Sequence, residues 1–145
     1  MYQLVPKKKK SIVLRIVIFL VACAVIKEGL TIIFSPAPVS QQLDKVASNI
    51  NKRCPLVVDS MITLTNCVAT SDYRLHYNYQ LTTLYKEDVD TVSMIFSARE
   101  NMINILKTDP NLAVFKKHDI SVSASYYDKT GVYVCGVAVL PQELK

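Results

Sequence analysis

Tyr73-Arg74-Leu75-His76-Tyr77-Asn78-Tyr79-Gln80-Leu81 alternates strictly between large apolar and polar side chains. Successive side chains of a strand point to opposite sheet faces, so this segment builds one apolar face and one polar face. Such one-sided strands belong to a largely antiparallel sheet whose apolar face is covered by helices. The same alternation recurs downstream, where Ile120, Val122, Ala124 and Tyr126 interleave with Ser121, Ser123 and Ser125. Asp128-Lys129-Thr130-Gly131 then reads as a hairpin turn with glycine where positive φ is needed, and Val132 to Leu140 returns as the last strand. Upstream, Leu56 to Val68 is rich in β-branched residues and reads as a strand that turns at Thr70-Ser71-Asp72.

Two helices complete the pattern. Ser40 is placed to cap a helix running to Arg53, with Leu43, Val46, Ala47 and Ile50 on one stripe and Pro55 beyond its end. Asp88 or Asp90 caps a second helix over 90–108, where Val92, Ile95, Phe96, Met102, Ile103 and Leu106 form the expected buried stripe. Asp109-Pro110-Asn111 breaks it, and Leu112 to Lys117 adds a short helical turn. The expected order is helix-β-β-helix-β-β. This is an α+β domain over 40–145, with a four-stranded, mainly antiparallel sheet and both helices on the face bearing Leu75 and Tyr77.

The chain ahead of this domain is of another kind. Lys7, Lys8, Lys9 and Lys10 precede a nearly unbroken apolar run from Ile12 to Ile26. Lysines beside such a run stay on the cytoplasmic side, so the remainder is expected across the membrane. The formal net charge is +5, and residues 1–34 carry all of it: six basic residues stand there against Glu28 alone. Residues 35–145 hold eleven basic and eleven acidic side chains. Nucleic-acid binding needs a clustered basic surplus, and the folded part has none.

Three readings of residues 1–34 compete. A single-pass inner-membrane anchor would put Lys27 and Glu28 at the outer interface, leaving the N-terminus cytoplasmic and the domain periplasmic. A lipoprotein signal is suggested by Leu20-Val21-Ala22-Cys23, with Cys23 lipidated and the product held at the outer membrane. Cleavage after small residues would release a secreted form. Against the latter two, Ala24-Val25-Ile26 and Leu30 to Phe34 remain apolar where a polar tether is expected. A proline-containing linker, residues 35–39, stiffens the exit from the membrane.

No catalytic, cofactor or metal constellation is legible. Three glycines in the whole chain cannot build a phosphate-cradling loop. The cysteines contain no C-x-x-C, so neither a redox pair nor a zinc knuckle is signalled. Cys54, Cys67 and Cys135 lie in the exported part, where an oxidising compartment allows a disulfide among them. Cys135 shares parity with the apolar positions of its strand and is the expected participant. His76 lies on a polar strand face and His118 in a loop, so both read as solvated. Tyr73, Tyr77 and Tyr79 read as core, Glu87, Asp88 and Asp90 as a charged helix start, and Lys116-Lys117 as a solvated pair.

One resemblance can be placed on particular residues. Asn51-Lys52-Arg53-Cys54-Pro55-Leu56-Val57-Val58-Asp59, followed by Tyr77-Asn78-Tyr79-Gln80-Leu81, resembles the N-K-x-C-P-x-x-V-D and Y-N-Y-x-L patterns of small bacterial membrane-anchored proteins. That resemblance implies an envelope protein and no particular activity. In topology the domain is also similar to pilotins, lipoproteins that help secretin rings assemble in the outer membrane. The expected function is therefore a non-catalytic interaction module with membrane and protein partners, without nucleic acid, metal or cofactor. Its edge strands would be open to extension by a partner strand. The alternatives are a pilotin-like lipoprotein and a thiol-dependent enzyme using Cys54 or Cys135.

Overall fold

The structure is a computed structural model and describes residues 37–145. The basic stub, the apolar run with Cys23, and the first two residues of the proline linker lie outside the described residues. Helix α1 (Val39–Asn51) is followed by strands β1 (Leu56–Val57), β2 (Ile62–Thr70) and β3 (Arg74–Leu81). Then come helix α2 (Thr91–Thr108), the short helix α3 (Ala113–Lys117), and strands β4 (Ser121–Tyr127) and β5 (Tyr133–Val139). The five strands lie in the order β1-β2-β3-β4-β5.

The α+β class holds, while the sheet differs from expectation in strand count and in one pairing. The stretch 56–68, expected as one strand, is two, because Asp59 breaks it. Its Oδ1 accepts the backbone N–H of Met61 at 2.6 Å and of Ile62 at 3.0 Å, folding the chain back so that Leu56 pairs with Leu64. The β3–β4 pair is parallel, from Arg74 opposite Ser121 to Gln80 opposite Tyr127, and the other three pairs are antiparallel. Parallel neighbours need a long crossover, and α2 with α3 supplies it.

Local chemistry sets the other boundaries. Ser40 does not cap α1; Pro38 precedes the helix and its carbonyl accepts the Gln42 N–H at 3.2 Å, which leaves Ser40 inside the first turn. Asp90 caps α2 through the Ser93 N–H at 3.1 Å, as its position predicts. Tyr73 is not in the strand: it holds φ of 56° in the three-residue loop between Thr70 and Arg74, the left-handed position that such hairpins require. Asp128, only 3% exposed, organises the β4–β5 hairpin. Its Oδ1 accepts from the N–H groups of Thr130 and Val132, and its Oδ2 from that of Lys86 at 3.1 Å.

One core lies between the helices and one sheet face. Leu43, Val46, Ala47 and Ile50 of α1 are buried in it, as the stripe predicts. Leu75, Tyr77, Tyr79 and Leu81 are buried from β3, with Val122, Ala124 and Tyr126 from β4. Tyr79 stacks on Tyr126 with ring centroids 5.3 Å apart, and on Tyr77 at 6.4 Å. A bulge between Leu64 and Asn66 shifts the β2 register by one residue, which brings Cys67 into the core.

Candidate functional site

The second helix presents the feature most relevant to function. Its buried residues are Met94, Ala98, Met102, Ile105 and Leu106. Val92, Ile95 and Phe96 were expected inside, but are 77%, 37% and 71% exposed. The cause is visible in the sequence: α2 carries apolar residues on two adjoining flanks. Small Ala98 lies at the centre of the buried one, which lets the helix approach the sheet closely. The outer flank keeps Val92, Ile95 and Phe96 at i, i+3 and i+4 spacing, with Arg99 beside them in an ion pair with Glu143. Isolated apolar side chains on a surface are ordinary, whereas three adjoining ones on one helix flank form a patch that a partner can cover.

The opposite sheet face carries a chain of side-chain hydrogen bonds. His76 Nδ1 lies 2.7 Å from Ser123 Oγ, and its Nε2 lies 3.2 Å from Asn78 Oδ1. Asn78 in turn donates to Asn66 Oδ1 at 2.6 Å. His76 is therefore half-buried and bonded through both ring nitrogens, not solvated as its polar strand position suggests. Neighbouring strands bring these residues together, which single-strand parity could not show. The face is also less wet than expected, because Ser121 and Ser123 are buried. Ser123 lies mid-strand in β4 and not on a strand-to-helix elbow.

The thiols are poor nucleophiles in this setting. Burial pushes the Cys67 thiol up to about 12, with a smaller contribution from Cys54, and the Cys135 thiol up to about 11. Half-buried Cys54 is also raised by burial, against a lowering hydrogen bond from Leu56. In the structure all three stand as thiols, and the disulfide expected through Cys135 is not seen among the described residues. Cys135 lies opposite Tyr126 on β5, on the far side of the sheet from β2. Among the described residues, no group of three or more His, Cys, Asp or Glu side chains is arranged to hold a metal. Nor, among them, is any helix long and apolar enough to cross a membrane. The orientation lysines Lys7 to Lys10 and the lipidation candidate Cys23 lie outside these residues.

The motif residues turn out to be architectural. Asn51 donates through Nδ2 to the Cys67 carbonyl at 2.7 Å and accepts the Cys67 N–H at 2.7 Å, fastening the end of α1 to β2. Cys54-Pro55 is a cis peptide at the turn into β1, and Asp59 closes the next turn. Of the edge strands among the described residues, β1 has two residues and β5 seven, so β5 offers the longer edge for strand addition.

No family model and no curated protein matches the sequence. Two solved structures share the fold. A candidate secreted protein from Pseudomonas aeruginosa superposes with a TM-score of 0.62 at 15% identity, over 74% of this chain and 93% of that one. The type II secretion system pilotin AspS from Vibrio cholerae superposes with a TM-score of 0.53 at 12% identity, over 72% of this chain and 91% of that one. At these identities the likeness is one of fold, and the similarity to pilotins in topology extends to three dimensions.

Proposed function

We propose that this chain is a pilotin-like accessory protein of the bacterial envelope. It is tethered to a membrane by residues 1–34 and binds a helical segment of a protein partner on the outer flank of α2. The exposed Val92, Ile95 and Phe96 carry this reading. Their spacing is that of the anchor residues through which amphipathic helices dock, and leaving them in water forgoes burial that a partner would supply. The shared architecture with a secretion pilotin supports the class of partner, a secretin tail. A thiol-dependent enzyme is the weaker reading, because burial keeps Cys54, Cys67 and Cys135 protonated near neutral pH.

Val92 and Phe96 are both accessible to a cross-linker. A photo-cross-linker at Val92 in the full chain is expected to capture a C-terminal secretin peptide. Phe96→Asp should weaken that binding at least tenfold while leaving thermal unfolding unchanged. Equal binding by Phe96→Asp, or turnover of a small-molecule substrate by the purified chain, would defeat the proposal.

A further inference from the structure

The three cysteines of the domain are not equivalent in position. Strand β1 pairs antiparallel with β2, Leu56 opposite Leu64 and Val57 opposite Thr63. Two residues before Leu56, in the turn that leads from α1 into β1, stands Cys54, packed against the core that holds Cys67. Hydrogen bonds fix that turn against Cys67. Asn51 holds both the N–H and the carbonyl of Cys67, and the Cys54 N–H donates to the Asn51 carbonyl at 3.2 Å. Cys54 is thus one hydrogen bond from the residue clamped onto Cys67. The thiols also sense each other, since negative charge on Cys54 raises the Cys67 pKa. Cys135 is three strands from β2, about 14 Å across the sheet, and reaches neither.

From this juxtaposition we infer that Cys54 and Cys67 form a disulfide that staples the end of α1 and strand β1 to β2. That the bond forms in the cell rests on the exported placement of the domain; the choice of partners does not. Cys54, the more exposed thiol, loses its proton and attacks an exchangeable disulfide such as oxidised glutathione. One glutathione thiolate leaves, and a mixed disulfide remains. The Cys67 thiolate then attacks Cys54 Sγ and displaces the second glutathione thiolate. Two protein thiols are oxidised, one glutathione disulfide is reduced to two thiols, and the two protein protons end on them. The raised pKa values make this slow, and the chain-entropy effect of the closed loop makes the product more stable.

The test uses the full chain, equilibrated with oxidised glutathione, alkylated and digested with trypsin and an Asp-directed protease. Trypsin alone leaves Cys54 and Cys67 in one peptide, whereas cleavage before Asp59 separates them. The expected product joins residues 54–58 to residues 59–71. The oxidised chain should melt several degrees higher than the same sample with reductant. Cys54→Ser should abolish that difference and Cys135→Ala should preserve it. If Cys54→Ser does not fold, the wild-type peptide map still decides. A link through Cys135 or Cys23, or two alkylated thiols at Cys54 and Cys67 in a folded sample, would overturn the inference. Thiol trapping in cells then separates the two claims. A chain that oxidises when purified but stays reduced in the cell retains the pairing and loses the exported placement.

Discussion

Asn51, Asp59 and Asp128 do the same kind of work at three places: a short polar side chain satisfies backbone groups that the sheet ladder leaves open. Asn51→Ala would strip the Cys67 N–H and carbonyl of their partners, which at half-buried sites is worth about 2 kcal/mol. Denaturant unfolding should show that loss with an unchanged m-value, and a loss under 0.5 kcal/mol would mean water replaces the clamp. Asp128 carries a pH dependence. Hydrogen bonds, first from the Thr130 side chain and then from backbone N–H groups, hold its carboxyl down at about 2, below the usual value near 4. A depressed carboxylate contributes stability that is full above the unfolded pKa and is lost as pH falls through the folded one. The melting temperature should therefore fall between about pH 4 and about pH 2. Asp128→Asn should melt lower at neutral pH and flatten that slope, and an unchanged slope would refute the assignment. Asn51 stands out in the sequence as part of a motif. Its work does not, because it depends on a partner 16 residues away across a bulge.

At the level of elements, the sequence reads best where one face differs sharply from the other. The α1 stripe and the β3 alternation from Leu75 to Leu81 have a single apolar side, and those faces are assigned correctly from spacing alone, whereas Tyr73, expected in the core, is exposed in the loop ahead of the strand. Helix α2 has apolar residues on two adjoining flanks, and periodicity has no means of choosing between them. The choice is made by packing, because Ala98 allows close approach and Phe96 would not. Met102→Ala should cost about 2–4 kcal/mol as a buried cavity, whereas Phe96→Ala should cost under about 0.5 kcal/mol. The reverse ranking in a thermal or denaturant series would restore the stripe expected from sequence and remove the proposed docking flank. The split of 56–68 into β1 and β2 escapes a propensity reading for a related reason. Composition favours strand throughout, and one carboxylate at Asp59 makes the turn.

For the molecule as a whole, the pattern of one-sided strands with two amphipathic helices is enough to define the α+β layers. The parallel β3–β4 pair follows only once α2 is recognised as a crossover, returning the chain to the edge from which β3 started. The folded part has no net charge, and the proposed tether is assigned to residues 1–34, where the whole basic excess lies. This separation yields a prediction about processing. Fractionated cells should yield the chain with membranes, and mass spectrometry of the mature product identifies the tether. A product near 16.3 kDa is the unprocessed chain and supports the signal anchor. A product beginning at a lipidated Cys23 supports the lipoprotein route, and brings the protein closer to the pilotin class. Under that route, Cys23→Ser should release or mislocalise the domain, while under the anchor route it should change nothing. A soluble product cut near Cys23 without lipid would separate the domain from any membrane and overturn the tethered function.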